Sequence, residues 1–183
     1  MTGGSGFIGQ HLMVALDAAY DVVDAIDLRP PAVPPSGVAH LGDVREALPG
    51  FDRYDTVFHL AANVGGRAAI ENGPLTVAGN LSIDVAFFDY VARTRPERAV
   101  YLSSSAIYPA DDGVAHPLEE CTVPTGSTMF GRPDGVYGWV KLTGEQLAAV
   151  VTERFGVPVV CYRPFSLFGP GQPPEYPVPA IIA

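Results

Sequence analysis

Apolar positions within Gln10-His11-Leu12-Met13-Val14-Ala15-Leu16 suit a helix, and they follow directly on a glycine-rich run, Thr2-Gly3-Gly4-Ser5-Gly6-Phe7-Ile8-Gly9. Residues 21–27 then read as an apolar strand, Val22-Val23-Asp24-Ala25-Ile26, closed by the acid Asp27. The pattern predicts a strand over 56–60, a helix over 75–93, a strand over 99–103, a Pro- and Gly-rich loop over 109–135, a helix over 137–155 and a strand over 157–162. Strands that alternate with helices, and read as apolar runs, imply a parallel sheet covered on both faces. No internal repeat is present.

The spacing Gly4-x-Gly6-x-x-Gly9, with Gly3 adding a second register, opens the first helix. Glycines permit a tight turn and close approach of the backbone, while a helix N-terminus presents free N–H groups and partial positive charge to phosphates. Asp27 falls about 20 residues on, at the end of a strand, where a carboxylate would bind both ribose hydroxyls of NAD and repel an added 2′-phosphate. Arg29, two residues further, carries the guanidinium that could accept such a phosphate. The expected fold is therefore a Rossmann-like doubly wound α/β sheet. Only Met1 and Thr2 precede Gly3, so the sequence implies that the first, central strand is lacking and that the strands on both sides are left with open inner edges. The other end stops in Pro177-Val178-Pro179-Ala180-Ile181-Ile182-Ala183, within a segment. The expectation is a cofactor-binding domain over 1–170 and the start of a substrate region over 171–183, both cut short.

Net charge changes the picture by exclusion: at -9, the chain offers no general nucleic-acid or anionic-membrane surface. Cys121 and Cys161 have no metal-type spacing and read as reduced thiols, and the N-terminus shows no basic-then-apolar leader, so a cytoplasmic location is expected. His11, His40 and His116 have no partner at ligand spacing, and no metal site is expected. His59, at a strand end, reads as packing.

The sole lysine, Lys141, stands four residues after Tyr137 among ten arginines. On a helix that spacing places an ammonium one turn from a phenol, where it would lower the tyrosine pKa from about 10 toward that of a general base. Ser103-Ser104-Ser105 lies where a strand ends, and open α/β sheets bind ligands beyond the carboxyl ends of their strands. A serine run in that place equally serves as a self-capped strand exit. Asp43-Val44, after Gly42, reads either as the border of an adenine pocket or as a turn.

The glycine run, Asp27, Gly42-Asp43-Val44, His59-Leu60-Ala61-Ala62, Ser103-Ser104-Ser105, Tyr137-x-x-x-Lys141 and Arg163-Pro164-Phe165-x-x-Phe168-Gly169-Pro170 together resemble the extended short-chain dehydrogenase/reductase superfamily, in its NAD-dependent nucleotide-sugar epimerase/dehydratase branch. The resemblance implies Tyr137 as acid/base, Lys141 on the nicotinamide ribose and Ser104 as third member of the set. It implies Gly3, Gly6, Phe7, Ile8 and Gly9 at the pyrophosphate, Asp27, Leu28 and Arg29 at the adenosine ribose, and Asp43 and Val44 at adenine. Leu60, Ala61 and Ala62 would pass under the cofactor, with Ser103, Pro164 and Phe165 beside it. Gly66, Arg67, Asn80, Ser105 and Ser166 would stand on the substrate side, with Arg67 toward a substrate phosphate and Asn80 alternatively steadying the site through backbone contacts. A nucleotide-sugar substrate and a homodimer are also implied; the cluster of Phe87, Phe88 and Tyr90 reads either as core or, by the resemblance, as a helix that pairs with its twin in the dimer.

Departures narrow the chemistry. Segments around Gly65-Gly66 and Ser104-Ser105-Ala106 resemble GDP-mannose 3,5-epimerase and GDP-fucose synthase, which place an acid/base cysteine where Ala106 stands; 4,6-dehydratases carry an Asp-Glu pair at the positions of Ser105 and Ala106. What remains needs only Ser, Tyr and Lys: reversible oxidation at C4, as in a 4-epimerase. A dehydratase, a 4-ketoreductase and a non-catalytic dinucleotide-binding remnant are the alternatives. Ser166 stands where many relatives have an asparagine.

Overall fold

The structure is a computed structural model that describes residues 1–65, 70–109, 119–120, 133–174 and 176–182. In chain order its elements are α1 (Phe7–Ala19), β1 (Ala25–Asp27), β2 (Ala39–Leu41), α2 (Val44–Ala47), β3 (Thr56–His59), α3 (Pro74–Ala78), α4 (Asn80–Thr94), β4 (Arg98–Leu102), α5 (Gly135–Phe155), β5 (Val159–Tyr162) and α6 (Pro177–Ile182). Short 3-10 turns follow α2 at Leu48–Gly50 and β4 at Ser105–Ile107.

All strand pairs are parallel, β1 with β2 and β3 with β4 and β5. Thr2 joins the two groups through bridges to Ile26 and His59, so the order reads β2, β1, Thr2, β3, β4, β5. The expectation of two wholly open inner edges is corrected here. Ile26 N–H donates to Met1 O at 2.9 Å, Gly3 N–H to Ile26 O at 2.9 Å, Thr2 N–H to Phe58 O at 2.9 Å and Leu60 N–H to Thr2 O at 3.2 Å. The ladder therefore closes at the carboxyl ends, where ligands bind in such sheets. Toward the amino ends, β1 and β3 are separated by an apolar cavity lined by Ala25, Val57, Phe58 and Phe87 among others.

Pleating sends alternate side chains of each strand to opposite faces. On one face Val57, Ala99 and Tyr101 pack under α4 and α5 with Phe87, Phe88, Val91, Ala148 and Val151. On the other, Met13 and Leu16 of α1 cover Ala25 with Phe58 beside them. Each large side chain so buried stabilises the fold by about 1.5–3 kcal/mol. The stretch Pro74–Thr94 has the length and hydropathy of a membrane span, yet its Phe87, Phe88, Tyr90 and Val91 are core. Helix α5 ends where Gly156 adopts φ 74° and returns its N–H to Thr152 O at 3.2 Å, a left-handed cap that glycine takes without strain.

Two features escape the hydrophobic pattern. Strand β2 is largely exposed and carries no apolar run, so nothing in its sequence marks it as a strand. Residues 21–24, expected as strand, form no ladder and are held by mixed bonds: Ser36 Oγ accepts from Val23 N–H at 3.0 Å, Asp24 Oδ1 accepts from Val38 N–H at 2.7 Å and Gly37 N–H donates to Val23 O at 2.9 Å.

Burial pushes the His59 imidazole below its ordinary value of 6.5, against the opposing pull of Asp84. The unfolded chain takes up a proton on His59 below that value while the folded chain resists it, so stability is fully present above about pH 6.5 and is lost as the pH falls. The melting temperature is accordingly expected to drop between pH 7 and pH 5, and His59→Gln should flatten that drop; an equal slope in both proteins would contradict it. A second expectation concerns Gly9, where a Cβ would lie 2.2 Å from Gly3 O. Gly9→Ala must drive α1 off the loop and cost about 1–3 kcal/mol in denaturant unfolding.

Candidate active site

The glycine loop leaves the sheet at Thr2 and turns at Gly3, which has φ 74° and lies against Leu60 and Ala61 so closely that a Cβ would meet their backbone at 2.6 Å. Gly6 is the N-cap of α1 and supplies no side-chain cap, so the first amides of the helix, at Phe7 and Ile8, stay unclaimed by any cap side chain. Asp27, at the carboxyl end of β1, faces this loop: Oδ2 accepts from Ser5 N–H at 3.0 Å and Oδ1 from Arg29 N–H at 3.2 Å. Ser5 Oγ in turn donates to Arg29 O at 2.6 Å. These bonds hold a carboxylate beside a helix N-terminus, the pairing that a dinucleotide's ribose and pyrophosphate require. Leu28 and the Arg29 side chain lie exposed at the rim.

Leu60, Ala61 and Ala62 leave β3 beside Gly3, with Ala61 N–H donating to Thr2 Oγ1 at 3.3 Å. Ser103 ends β4 at 2% exposure, and its Oγ has no partner among the described residues. A buried hydroxyl without a partner at the carboxyl edge fits a site built for a polar ligand. The residues present thus fit a dinucleotide: backbone amides for phosphate, Asp27 for ribose, and a spare hydroxyl between the strands.

Ser104 caps the following 3-10 turn, its Oγ accepting from Ala106 N–H at 3.2 Å. The same side chain lies near Tyr137, in the first turn of α5, and acts to lower its pKa. Asp134 N–H donates to Ala106 O at 2.9 Å, which fixes the start of α5 against the serine loop. One turn on, Lys141 is 4% exposed and donates to Leu102 O at 2.9 Å and to the Tyr101 hydroxyl at 3.4 Å. The Lys141 ammonium is thus committed to β4, and the expected depression of the Tyr137 pKa is corrected. Burial pushes the Tyr137 phenol above its ordinary value, with the Ser104 side chain as the opposing influence.

Other expected site residues take structural places. Asp43 is the N-cap of α2 and pairs with Arg45, while Val44 is buried in the core with Leu48, so its side chain does not border a ligand. Asn80 is fully buried: Oδ1 accepts from Asn63 N–H at 2.6 Å and Nδ2 donates to Asn63 O at 3.0 Å, backbone contacts that clamp the loop after β3. Ser105 N–H donates to Pro164 O at 3.2 Å, joining the serine loop to the end of β5. Phe165 is exposed beside Tyr108, and Ser166 holds a left-handed φ of 43°. Gly66 and Arg67 lie outside the described residues, as does Cys121; among the described residues Cys161 is a free thiol, pushed by burial to about 12.

Several groups at the site have neighbours that the sequence does not announce. Tyr176 lies near enough to Tyr137 to raise its pKa, although it sits far along the chain in a Pro-rich stretch. Arg163 grips Glu145 of α5 with Nε to Oε1 at 2.9 Å and Nη2 to Oε2 at 2.7 Å, and donates to the Tyr108 hydroxyl at 3.1 Å. This bidentate pair ties β5 to the helix that carries Tyr137. His59, expected only to pack, is stacked on Phe87 at 4.2 Å and also hydrogen-bonded at both ring nitrogens.

Comparison with known proteins agrees with this geometry. The chain is 27% identical over 96% of its length to UDP-glucuronate 4-epimerase 1 of Arabidopsis thaliana, covering 43% of that enzyme. It superposes with a TM-score of 0.80 and 32% identity on MoeE5 in complex with UDP-glucuronic acid and NAD, over 99% of this chain and 58% of the other. With the Thermus thermophilus UDP-glucose 4-epimerase in complex with NAD the values are 0.78 and 25%, over 99% and 59%. The chain thus spans about half the length of these relatives. With the family model matching residues 1–183, the chain belongs to the NAD dependent epimerase/dehydratase family.

Proposed function

We propose that the protein carrying this chain is an NAD-dependent UDP-sugar 4-epimerase in which Tyr137 moves the proton of the sugar hydroxyl, Ser104 holds the same oxygen and Lys141 anchors the cofactor side. The observation that carries the reading is the placing of Tyr137 and Lys141 one turn apart on α5, whose start is tied to the serine turn at the carboxyl edge of the sheet through Asp134 N–H and Ala106 O, with the lysine buried against β4. The names of the relatives support UDP-sugars as the substrate class.

When bound, NAD supplies a reversible acceptor for the hydride of the sugar carbon. Asp27 and the amides of the glycine loop would hold its adenosine and pyrophosphate, and Ser103 Oγ offers a further donor between the strands. Tyr137, as phenolate, takes the hydroxyl proton as the carbon is oxidised and returns it on reduction. Ser104 Oγ, fixed by Ala106 N–H, donates to the developing carbonyl oxygen and keeps it within reach of the phenol. The Ala106 side chain is no acid or base, and neither Ser105 nor Ala106 offers the carboxylate that a 4,6-elimination needs. That favours 4-epimerisation over dehydration. On the same reading the protein is a cytoplasmic homodimer.

The test is product analysis by NMR with UDP-glucuronic acid and UDP-glucose as probes. The 4-epimer is expected; a product that has lost water would replace this reading with a dehydratase, and absence of both turnover and NAD binding would leave a non-catalytic module. Tyr137→Phe should lower kcat by about 10²- to 10⁴-fold while NAD titration is unchanged. Because Tyr137 must be deprotonated to act and burial raises its pKa, kcat should rise with pH in the neutral-to-alkaline range; a flat profile would argue against it as base. Asp27→Ala should weaken NAD binding by about 10- to 100-fold, the worth of hydrogen bonds to a charged group.

A further inference from the structure

A continuous hydrogen-bonded relay runs beneath the proposed site, and its direction can be followed atom by atom. Ala61 N–H donates to Thr2 Oγ1 at 3.3 Å, and the Thr2 hydroxyl lies 2.7 Å from His59 Nδ1. His59 Nε2 lies 3.2 Å from Asp84 Oδ1, the Tyr101 hydroxyl donates to Asp84 Oδ2 at 2.7 Å, and Lys141 Nζ donates to the Tyr101 oxygen at 3.4 Å. One tautomer satisfies every link, with the proton of neutral His59 on Nε2 toward the carboxylate and Nδ1 accepting from Thr2. Lys141 Nζ also stands over the Tyr101 ring, 4.8 Å from its centroid. Each member comes from a different element: Thr2 from the sheet junction, His59 from β3, Asp84 from α4, Tyr101 from β4 and Lys141 from α5. All are at most 5% exposed.

We propose that Asp84, acting through the Tyr101 hydroxyl, is the counter-ion and positioning residue of Lys141, and that the links to His59 and Thr2 tie the place of the ammonium to the junction that carries the glycine loop. The catalytic meaning of this rests on the proposed function, but the relay itself does not. A buried ammonium with only a neutral carbonyl for partner would give up its proton. Burial drives the Lys141 pKa down, and Asp84 is the charged group that opposes it. His59 of β3, kept neutral by the same burial, and the Tyr137 phenol one turn back on α5 are the other titratable groups around the pair, with the Cys161 thiol facing Tyr101 from β5. None of these supplies negative charge near neutrality. Space is reserved for the arrangement: a Cβ on residue 144 would lie 2.1 Å from the Tyr101 hydroxyl, so Gly144 is what lets α5 close over it.

The chain contains one lysine, so labelling with lysine that carries ¹³C at Cε gives a single resonance whose pH titration reports Lys141 alone. Asp84→Asn is expected to lower the titration midpoint by about one pH unit or more, the effect of removing one nearby opposite charge. Tyr101→Phe, which takes away one acceptor from a buried ammonium, should lower it by less. A midpoint in Asp84→Asn equal to that of the unsubstituted protein overturns the proposal. If Asp84→Asn does not fold by circular dichroism, Tyr101→Phe decides: a lowered midpoint supports the relay and an unmoved one overturns it. A purely structural role for Asp84 would change the melting temperature and leave the midpoint alone. NAD titration and turnover are read separately, so a relay that shifts as expected in a protein without epimerase activity would leave this inference standing and remove the functional one.

Discussion

Thr2 is the residue on which both halves of the sheet depend. Its backbone is paired on one side with Ile26 and on the other with His59, and its hydroxyl lies between Ala61 N–H and the His59 ring. Through those bonds β1, which presents Asp27, is held at a set distance from β3, which presents Leu60 and Ala61. Parallel strands have no hairpin to keep them in register, so their alignment rests on the ladder and on the helices packed across it. Here the ladder between β1 and β3 is concentrated at the carboxyl edge. That is also the edge at which Gly3 turns, Ser103 keeps a buried hydroxyl without a partner among the described residues, and Pro164 receives Ser105.

Polar groups in the interior are arranged around the same edge. Asp84, His59, Tyr101 and Lys141 would each be costly to bury alone, and removing one partner of a buried ionic set costs about 3–5 kcal/mol. They persist because each meets a neighbour of complementary hydrogen-bonding character. The apolar helix face that α4 lays on the sheet is interrupted at Asn80 and Asp84, and both interruptions serve the cleft: Asn80 clamps the loop after β3, and Asp84 stands below the lysine. Tyr137 sits at the boundary of this region, half-buried, with its phenol pulled upward by burial and downward by Ser104. The site is thus a place where hydrophobic packing gives way to a hydrogen-bonded polar network at the ends of the strands.

Much of this is legible in order along the chain. The glycine spacing marks α1 and its turn, the apolar runs mark β3, β4 and β5, and the tyrosine and lysine four apart do lie on one helix. Local signals suffice there because a helix repeat or a glycine requirement is a property of a few consecutive residues. Strand β2 is silent because a strand at the sheet's edge with exposed side chains needs no apolar alternation. The partners of Lys141 are silent for another reason. Tyr101 lies 17 residues from Asp84 and 40 from Lys141, and no spacing rule links an acid on one helix to an ammonium on another through a strand.

By itself, the sequence determined the family, the alternation of strands and helices, and the candidate residues for dinucleotide and proton chemistry, because those follow from short motifs with fixed local geometry. Only the tertiary structure decided what each polar group faces: that Thr2 closes the sheet, that Lys141 turns to Tyr101 and Leu102, and that Asn80 and Val44 serve the scaffold. A side chain's charge and reach are written locally, but its partner is set by the packing of elements distant in sequence, and in a buried site the partner determines the chemistry.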